Sequence, residues 1–167
     1  SHQIFLWISG DAAYSEANTI MSFMSFDSEI NMVDFNKDII EKKGYVIIPR
    51  VNTQTKVMDL YKVTHFQDFV LSNYGILEPD PKKYTKIEPT EINLILCPGV
   101  VFDKKGYRIG YGGGFYDKLL SEINSSCLLY GVGFDLQLVD EVPREIFDKQ
   151  LDKLFTEKNK YLFERRF

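Results

Sequence analysis

Residues 92–120 read INLILCPGVVFDKKGYRIGYGGGFYDKLL. The stretch opens on an apolar run, Ile92 to Cys97, interrupted only by Asn93, and Pro98-Gly99 breaks it. Val100-Val101-Phe102 restores the apolar pattern, and Asp103-Lys104-Lys105-Gly106 is a tight-turn sequence. Four glycines then fall within five residues, Gly110, Gly112, Gly113 and Gly114, before Phe115 to Leu120 takes up helical periodicity. The local reading is buried strand, glycine loop, helix start.

Glycines ahead of a helix permit positive φ and let backbone N–H groups approach a ligand closely. The first amides of the helix lack internal partners, and its dipole favours an anion there. Arg108 adds a planar cationic fork suited to phosphate or carboxylate. Neither common nucleotide template fits, however. No Lys-Ser or Lys-Thr follows the glycines, and Phe115 stands where dinucleotide spacing needs a further glycine. Spacing alone therefore leaves two readings open, an anion cradle and a flexible strand-to-helix turn.

Working outward, the 167 residues are enough for one domain with a real core. A net charge of −4 argues against a general nucleic-acid binder, which shows basic excess. No apolar run approaches the roughly 20 residues of a membrane span. Cys97 and Cys127 each sit in an apolar segment, so two buried free thiols in a reducing, cytoplasmic setting are expected. His2 and His65 are isolated, and no Cys/His cluster has the spacing of a zinc site.

Upstream, Gln3 to Ile8 reads as a short helix ended by Ser9-Gly10-Asp11, and Ala12 to Asn18 as a further turn or two. Thr19 to Phe26 reads as the first strand and Asp27 to Glu29 as the loop after it. Asn31 is placed to cap a helix to Lys43, with Val33, Ile39 and Ile40 inward and Gly44 as its stop. Tyr45 to Ile48 makes a second strand ended by Pro49-Arg50, and Val57 to Val63 a third. Thr64 and Gln67 have capping-box spacing, which predicts a short helix ending before Gly75. Glu78 to Pro89, with three prolines, reads as a surface loop. Downstream come a strand at Leu128 to Phe134, a helical turn near Pro143, a final strand at Lys153 to Thr156 and a charged tail. Alternating strands and helices predict a single-domain α/β three-layer sandwich, a mostly parallel sheet with helices on both faces. Ligands collect beyond the C-terminal strand ends in such sheets, where Asp27 to Glu29, Pro49-Arg50 and the glycine loop would meet.

The run PGVVFDKKGYRIGYGGGFYDK, residues 98–118, resembles the signature of the 5-formyltetrahydrofolate cyclo-ligase (5,10-methenyltetrahydrofolate synthetase) family. Phe23-Met24-Ser25 through Glu29, Val46 to Arg50 with Met58, Asn73 to Pro79, and Pro143…Asp148…Leu151-Asp152…Thr156-Glu157 resemble further family segments. The resemblance implies ATP-dependent cyclisation of 5-formyltetrahydrofolate, with or without a polyglutamate tail, to 5,10-methenyltetrahydrofolate, releasing ADP and phosphate. It also implies Mg²⁺, and the chain is expected to be a monomer or weak dimer.

By the same resemblance Arg108, Gly110, Tyr111, Gly112, Gly113 and Gly114 form the ATP-phosphate loop, with Arg108 and Tyr116 at the reacting centre. Phe115 and Tyr116 match the family's aromatic pair, Phe115 facing folate in place of the usual Tyr. Met24, Glu29, Met58 and Phe115 are the implied folate contacts, and Asp117 and Asp152 the implied Mg²⁺ positions. Composition alone would make Met24 a core residue, Glu29 a solvated acid and Asp117 a helix-first-turn acid. Family members open with a basic helix that reaches the ATP phosphates; here Gln3 to Ile8 aligns after it, and no Lys or Arg precedes Lys37. Residues 1–167 are thus expected to form one domain without that helix. The competing expectation is a non-catalytic folate- or nucleotide-binding relative.

Overall fold

The computed structural model describes residues 2–25, 30–72, 75–110, 113–145 and 148–164. The chain runs α1 (His2–Ser9), α2 (Ala12–Glu16), β1 (Ile20–Met21), α3 (Val33–Lys43), β2 (Val46–Asn52) and β3 (Val57–Val63). It continues through β4 (Phe69–Leu71), β5 (Leu77–Pro79), β6 (Thr85–Ile87), β7 (Leu94–Cys97), β8 (Val101–Asp103) and β9 (Arg108–Ile109). The last elements are α4 (Phe115–Leu120), β10 (Leu128–Val132), β11 (Leu138–Val139), β12 (Lys153–Phe155) and β13 (Lys160–Leu162).

The apolar run after Asn93 becomes β7, buried along its whole length, at the centre of an eight-stranded sheet ordered β13-β12-β10-β7-β1-β2-β3-β6. The strands from β12 to β2 are parallel, and the antiparallel pairings lie at the two edges. Side chains alternate between two apolar layers, as a strand's period of two requires. Ile20, Val46, Ile48, Leu94, Leu96, Tyr130 and Phe155 face α1, α2 and α3. Met21, Ile47, Ile95, Cys97, Leu129 and Leu154 pack with Leu119 and Leu120 of α4 and with Phe102. The expected three layers therefore form.

The connection β1–α3–β2 moves one way across the sheet, whereas β7 lies on the other side of β1 and leads through α4 to β10. The loops after β1 and β7 thus diverge, which opens a crevice at their C-terminal ends. Asp11 ties the N-terminal helices to this frame. Its Oδ2 accepts from Tyr14 N–H at 3.0 Å and from the Tyr130 hydroxyl at 2.6 Å, and its Oδ1 pairs with Lys153 Nζ.

Several expectations change. The first strand is only Ile20–Met21, because the chain leaves the sheet at Ser22 to enter the crevice wall. In α3 the buried residues are Phe35, Asn36 and Ile39, whereas Val33 is exposed in the first turn. Met32 rather than Asn31 is the N-cap and makes no side-chain cap bond; Asn31, one residue ahead, accepts from Val33 N–H through its Oδ1 at 3.0 Å. Pro49 does not end β2. β1 stops opposite Ile47, so no strand requires an N–H from Pro49 on that side.

No helix follows Thr64. The Tyr84 hydroxyl donates to the His65 carbonyl at 2.7 Å, and Phe66, Phe69 and Tyr84 pack edge to face. That aromatic cluster outweighs the local capping pattern, and β4 pairs with β5 instead. Residues 78–89 contribute to β5 and form edge strand β6, while the charged tail supplies the other edge strand, β13. Pro143 stands in irregular backbone.

Candidate active site

The divergent loops enclose a cavity of about 720 Å³. One wall is apolar and comes from Phe23 and Met24 after β1, Pro49 and Val51 of β2, Met58 of β3, and Ile76 and Leu77. The opposite wall is polar: Arg108, Gly110, Gly113, Gly114 and Asp117, with Phe115 and Tyr116 between the two halves. Pro143, Glu145 and Asp148 close a third side. A smaller depression of about 280 Å³ beside Trp7 and Lys160 contains none of these residues.

Arg108 is held rather than free. Its Nε donates to the Pro98 carbonyl at 2.8 Å, its guanidinium lies 5.0 Å from the centre of the Tyr116 ring, and Nη1 is 4.0 Å from Asp117 Oδ1. The side chain is only 5% exposed, while that of Asp117 is 66% exposed. Gly110 leaves room for the guanidinium, since a Cβ there would lie 2.9 Å from Arg108 Nη2 and displace it. Gly113 has φ +77°, and a Cβ there would meet the Phe115 ring at 2.7 Å. The loop thus fits around Arg108 and Phe115 by omitting side chains. At six residues α4 contributes little dipole, so anion affinity rests on Arg108 and nearby amides.

The expected Met24, Met58, Phe115, Tyr116, Arg108, Gly110, Gly113, Gly114 and Asp117 all line one cavity. Glu29, Tyr111 and Gly112 lie outside the described residues. Asp152 is not among the residues lining the cavity: its Oδ2 accepts from Leu129 N–H at 2.8 Å, near the N-terminal ends of β10 and β12. Its carboxylate links β12 to β10, and of the two implied Mg²⁺ positions Asp117 is the one that lines the cavity. Asp148 lines the cavity in place of Asp152, oriented by Glu145 N–H, which donates to its Oδ2 at 2.8 Å. Both acids belong to the Pro…Asp…Asp pattern; only the fold distinguishes which one faces inward.

Glu78 is a second residue the sequence did not single out as a site. It is 7% exposed, lines the apolar half, and sits 3.8 Å from Arg50 Nε. Burial pushes its carboxyl above the usual range, with Arg50 and the Val51 N–H opposing the rise. Burial likewise pushes the Cys97 thiol up to about 12, against the pull of Arg108, so Cys97 is an inert core thiol. Among the described residues no group of three or more His, Cys, Asp or Glu could hold a metal ion, and no helix is long and apolar enough to cross a membrane.

A three-layer α/β sheet with a cavity at its switch point, half apolar and half built around a glycine loop and one arginine, defines a binding protein for a composite ligand. The chain belongs to the 5-formyltetrahydrofolate cyclo-ligase family, whose family model matches residues 2–157. A 5-formyltetrahydrofolate cyclo-ligase of Haemophilus influenzae is 31% identical over 139 residues, covering 81% of this chain and 74% of the relative. That of Escherichia coli K12 is 28% identical over 142 residues, covering 84% and 78%. The solved structure of Aquifex aeolicus 5,10-methenyltetrahydrofolate synthetase superposes with a TM-score of 0.85 at 25% identity, covering 99% of this chain and 81% of that one.

Proposed function

We infer that this chain is an ATP-dependent 5-formyltetrahydrofolate cyclo-ligase that makes 5,10-methenyltetrahydrofolate, ADP and phosphate. The observation that carries this reading is the two-part cavity, in which Arg108 and the glycine loop form one part and Met24 and Met58 the other, with Phe115 between them. A formyl oxygen is a poor leaving group, and phosphorylation makes it a good one. In the reaction the formyl oxygen attacks the γ-phosphorus as ADP departs; N10 of the folate then attacks the formyl carbon, and phosphate leaves.

The protein's part is positioning and charge stabilisation. Arg108 and the amides of Gly113 and Gly114 orient the γ-phosphoryl group, and Tyr116, beneath the guanidinium, fixes the direction of Arg108. Phe115 stacks on the folate, Met24 and Met58 supply its apolar wall, and Glu29 is assigned to the pterin edge.

Mg²⁺ is bound through one or two carboxylates plus substrate phosphates, and it retains several waters. Asp117 and Asp148 fit that limited role, since both line the cavity and Asp117 is exposed. The ion's contribution is to neutralise phosphate charge. We assign the chain to the cytoplasm, acting as a monomer or weak dimer on mono- or polyglutamylated folate.

The test is purified chain with 5-formyltetrahydrofolate, ATP and Mg²⁺, following methenyl product and ADP together. Equal yields of the two are expected, and no product without ATP; folate binding with no ATP-dependent product would refute the assignment. The alternative of a non-catalytic binder draws on one observation. Among the described cavity residues, Arg108 is the sole Lys or Arg, facing Glu78, Asp117, Glu145 and Asp148.

A further inference from the structure

Asp103 is fully buried, does not line the cavity, and has no part in the chemistry above. Its Oδ1 accepts from the N–H groups of Lys105 and Tyr107, both at 2.9 Å, which closes the turn between β8 and β9. Its Oδ2 accepts from Val142 N–H at 3.0 Å, far along the chain. A tight turn needs only the first oxygen. The second bond carries the contact between the two segments past the parallel pairing of β8 with β11 and the bond from Lys104 N–H to the Val139 carbonyl at 3.2 Å. Beyond that pairing the side chains meet through exposed ion pairs, Lys104 with Asp140 and Lys105 with Glu141. Such exposed pairs fix geometry weakly. A buried carboxylate satisfied by three backbone amides fixes it strongly, because each bond lost leaves a desolvated group without a partner.

The two segments joined are two walls of the cavity. Asp103 is at the end of β8, paired through β9 to Arg108, with Phe102 directly opposite it. Val142 is followed at once by Pro143, then by Glu145 and Asp148. We propose that Asp103 is a positioning residue that sets the separation between the Arg108 strand and the Pro143–Glu145–Asp148 wall, and thereby the affinity for the phosphate-bearing substrate. This rests on the reading that ATP lies between those walls. The folate contacts Met24 and Met58 belong to other segments, and Phe115, at the start of α4 after the glycine loop, is the folate contact nearest the Arg108 strand.

Asp103→Asn is the direct test. The side-chain oxygen still serves Lys105 and Tyr107, while its NH₂ now faces the Val142 N–H, donor against donor. The expected result in folded protein is an ATP KM raised about 10- to 100-fold, as a misplacement near 1 Å produces. The Mg²⁺ concentration for half-maximal rate should rise with it, and folate affinity measured calorimetrically without ATP should stay within about twofold. Unchanged ATP and folate constants, or both weakened alike, overturn the proposal.

Where Asp103→Asn does not fold, Val142→Pro keeps the carboxylate and removes the bridging N–H, while also replacing a buried side chain and fixing φ, and is judged by the same constants. Failure of both variants to fold assigns Asp103 to stability alone and overturns its positioning role. If the wild-type chain does not turn over, the proposed function falls separately, and Asp103 is judged on Mg-ATP binding by calorimetry. Wild-type affinity in the variant overturns the inference, and a wild type that binds no Mg-ATP overturns both.

Discussion

Arg108→Ala removes the cation around which the polar half of the cavity is built. Two contacts within the protein disappear, the 2.8 Å bond from Nε to the Pro98 carbonyl and the stacking 5.0 Å above Tyr116. A hydrogen bond from a charged donor contributes about 1.5–3 kcal/mol, and a cation–π contact about 0.5–2 kcal/mol. The Asp117 contact at 4.0 Å adds little, since that carboxylate is well solvated. Water filling the space left by the side chain offsets part of this, so a net stability loss of about 1–3 kcal/mol is expected. For a chain of this length that is a fall of roughly 3–10 °C in Tm.

The kinetic effect is separate. Loss of one charge-assisted phosphate contact of about 1.5–3 kcal/mol lowers kcat/KM for ATP by about 10- to 150-fold. Initial rates of methenyl formation against ATP at saturating folate give this number. Calorimetric folate binding without ATP should be unchanged within about twofold. Arg108→Lys should recover the charge but not the fork, since an ammonium cannot both bond the Pro98 carbonyl and grip phosphate bidentately. A folded Arg108→Ala protein with wild-type kcat/KM for ATP, or one that loses folate affinity equally, would falsify the assignment of this wall to the nucleotide.

Asp11→Asn should cost about 2–3 kcal/mol, because Lys153 loses its partner in a half-buried setting; a thermal melt about 5–10 °C lower checks this. Burial raises the Asp11 pKa, but bonds from Lys153, Tyr130 and the Tyr14 N–H outweigh it and hold the carboxyl below its usual range. Its stabilisation is therefore complete above the unfolded value near 3.9 and lost as pH falls through the lower folded value, so Asn should flatten the acid limb of a Tm–pH profile. Gly113→Ala forces a residue with a Cβ to φ +77° and drives the Phe115 ring aside, so folate KM should rise several-fold, and ATP KM with it because the Gly113 amide is assigned to the phosphates. Chelating divalent cations should abolish turnover, because the described cavity carries one cation against four carboxylates. Asp148→Asn should raise the Mg²⁺ requirement about tenfold, as expected for one lost carboxylate ligand, whereas Asp152→Asn should lower Tm without that shift. Identical Mg²⁺ curves for the two variants would reject the choice of Asp148.

The central strands were legible because β7 and β10 are buried apolar runs bounded by turn residues, a signal that needs no tertiary context. The peripheral strands were not. β4 and β5 exist because Tyr84 captures the His65 carbonyl, and β13 because the chain returns antiparallel beside β12. Both depend on partners distant in sequence, and neither leaves a local pattern. The site divides in the same way. Arg108 and its glycines are contiguous and could be read, whereas Met24 and Met58 were named by the family resemblance alone before the fold set them beside the loop. That Asp148 lines the cavity while Asp152 Oδ2 accepts from the Leu129 N–H depends on the fold and leaves no local pattern.

β1 stops opposite Ile47 while β2 continues with β3 to the turn at Asn52, where the Asn52 side chain accepts from Gln54 and Thr55. Pro49, Val51 and Met58 stand on this extension of the ribbon beyond β1, which β5 braces through Arg50, whose Nη1 donates to the Pro79 carbonyl at 3.1 Å. The ribbon's reach is an independent variable. Removing two residues from each arm shortens the wall by about 7 Å and leaves every remaining side chain on its original face. Removing one residue instead would turn the apolar lining outward. The ribbon is therefore a ruler graduated in pairs of residues, by which bulk at the substrate's apolar end can be admitted or refused without disturbing the sheet that holds the arginine.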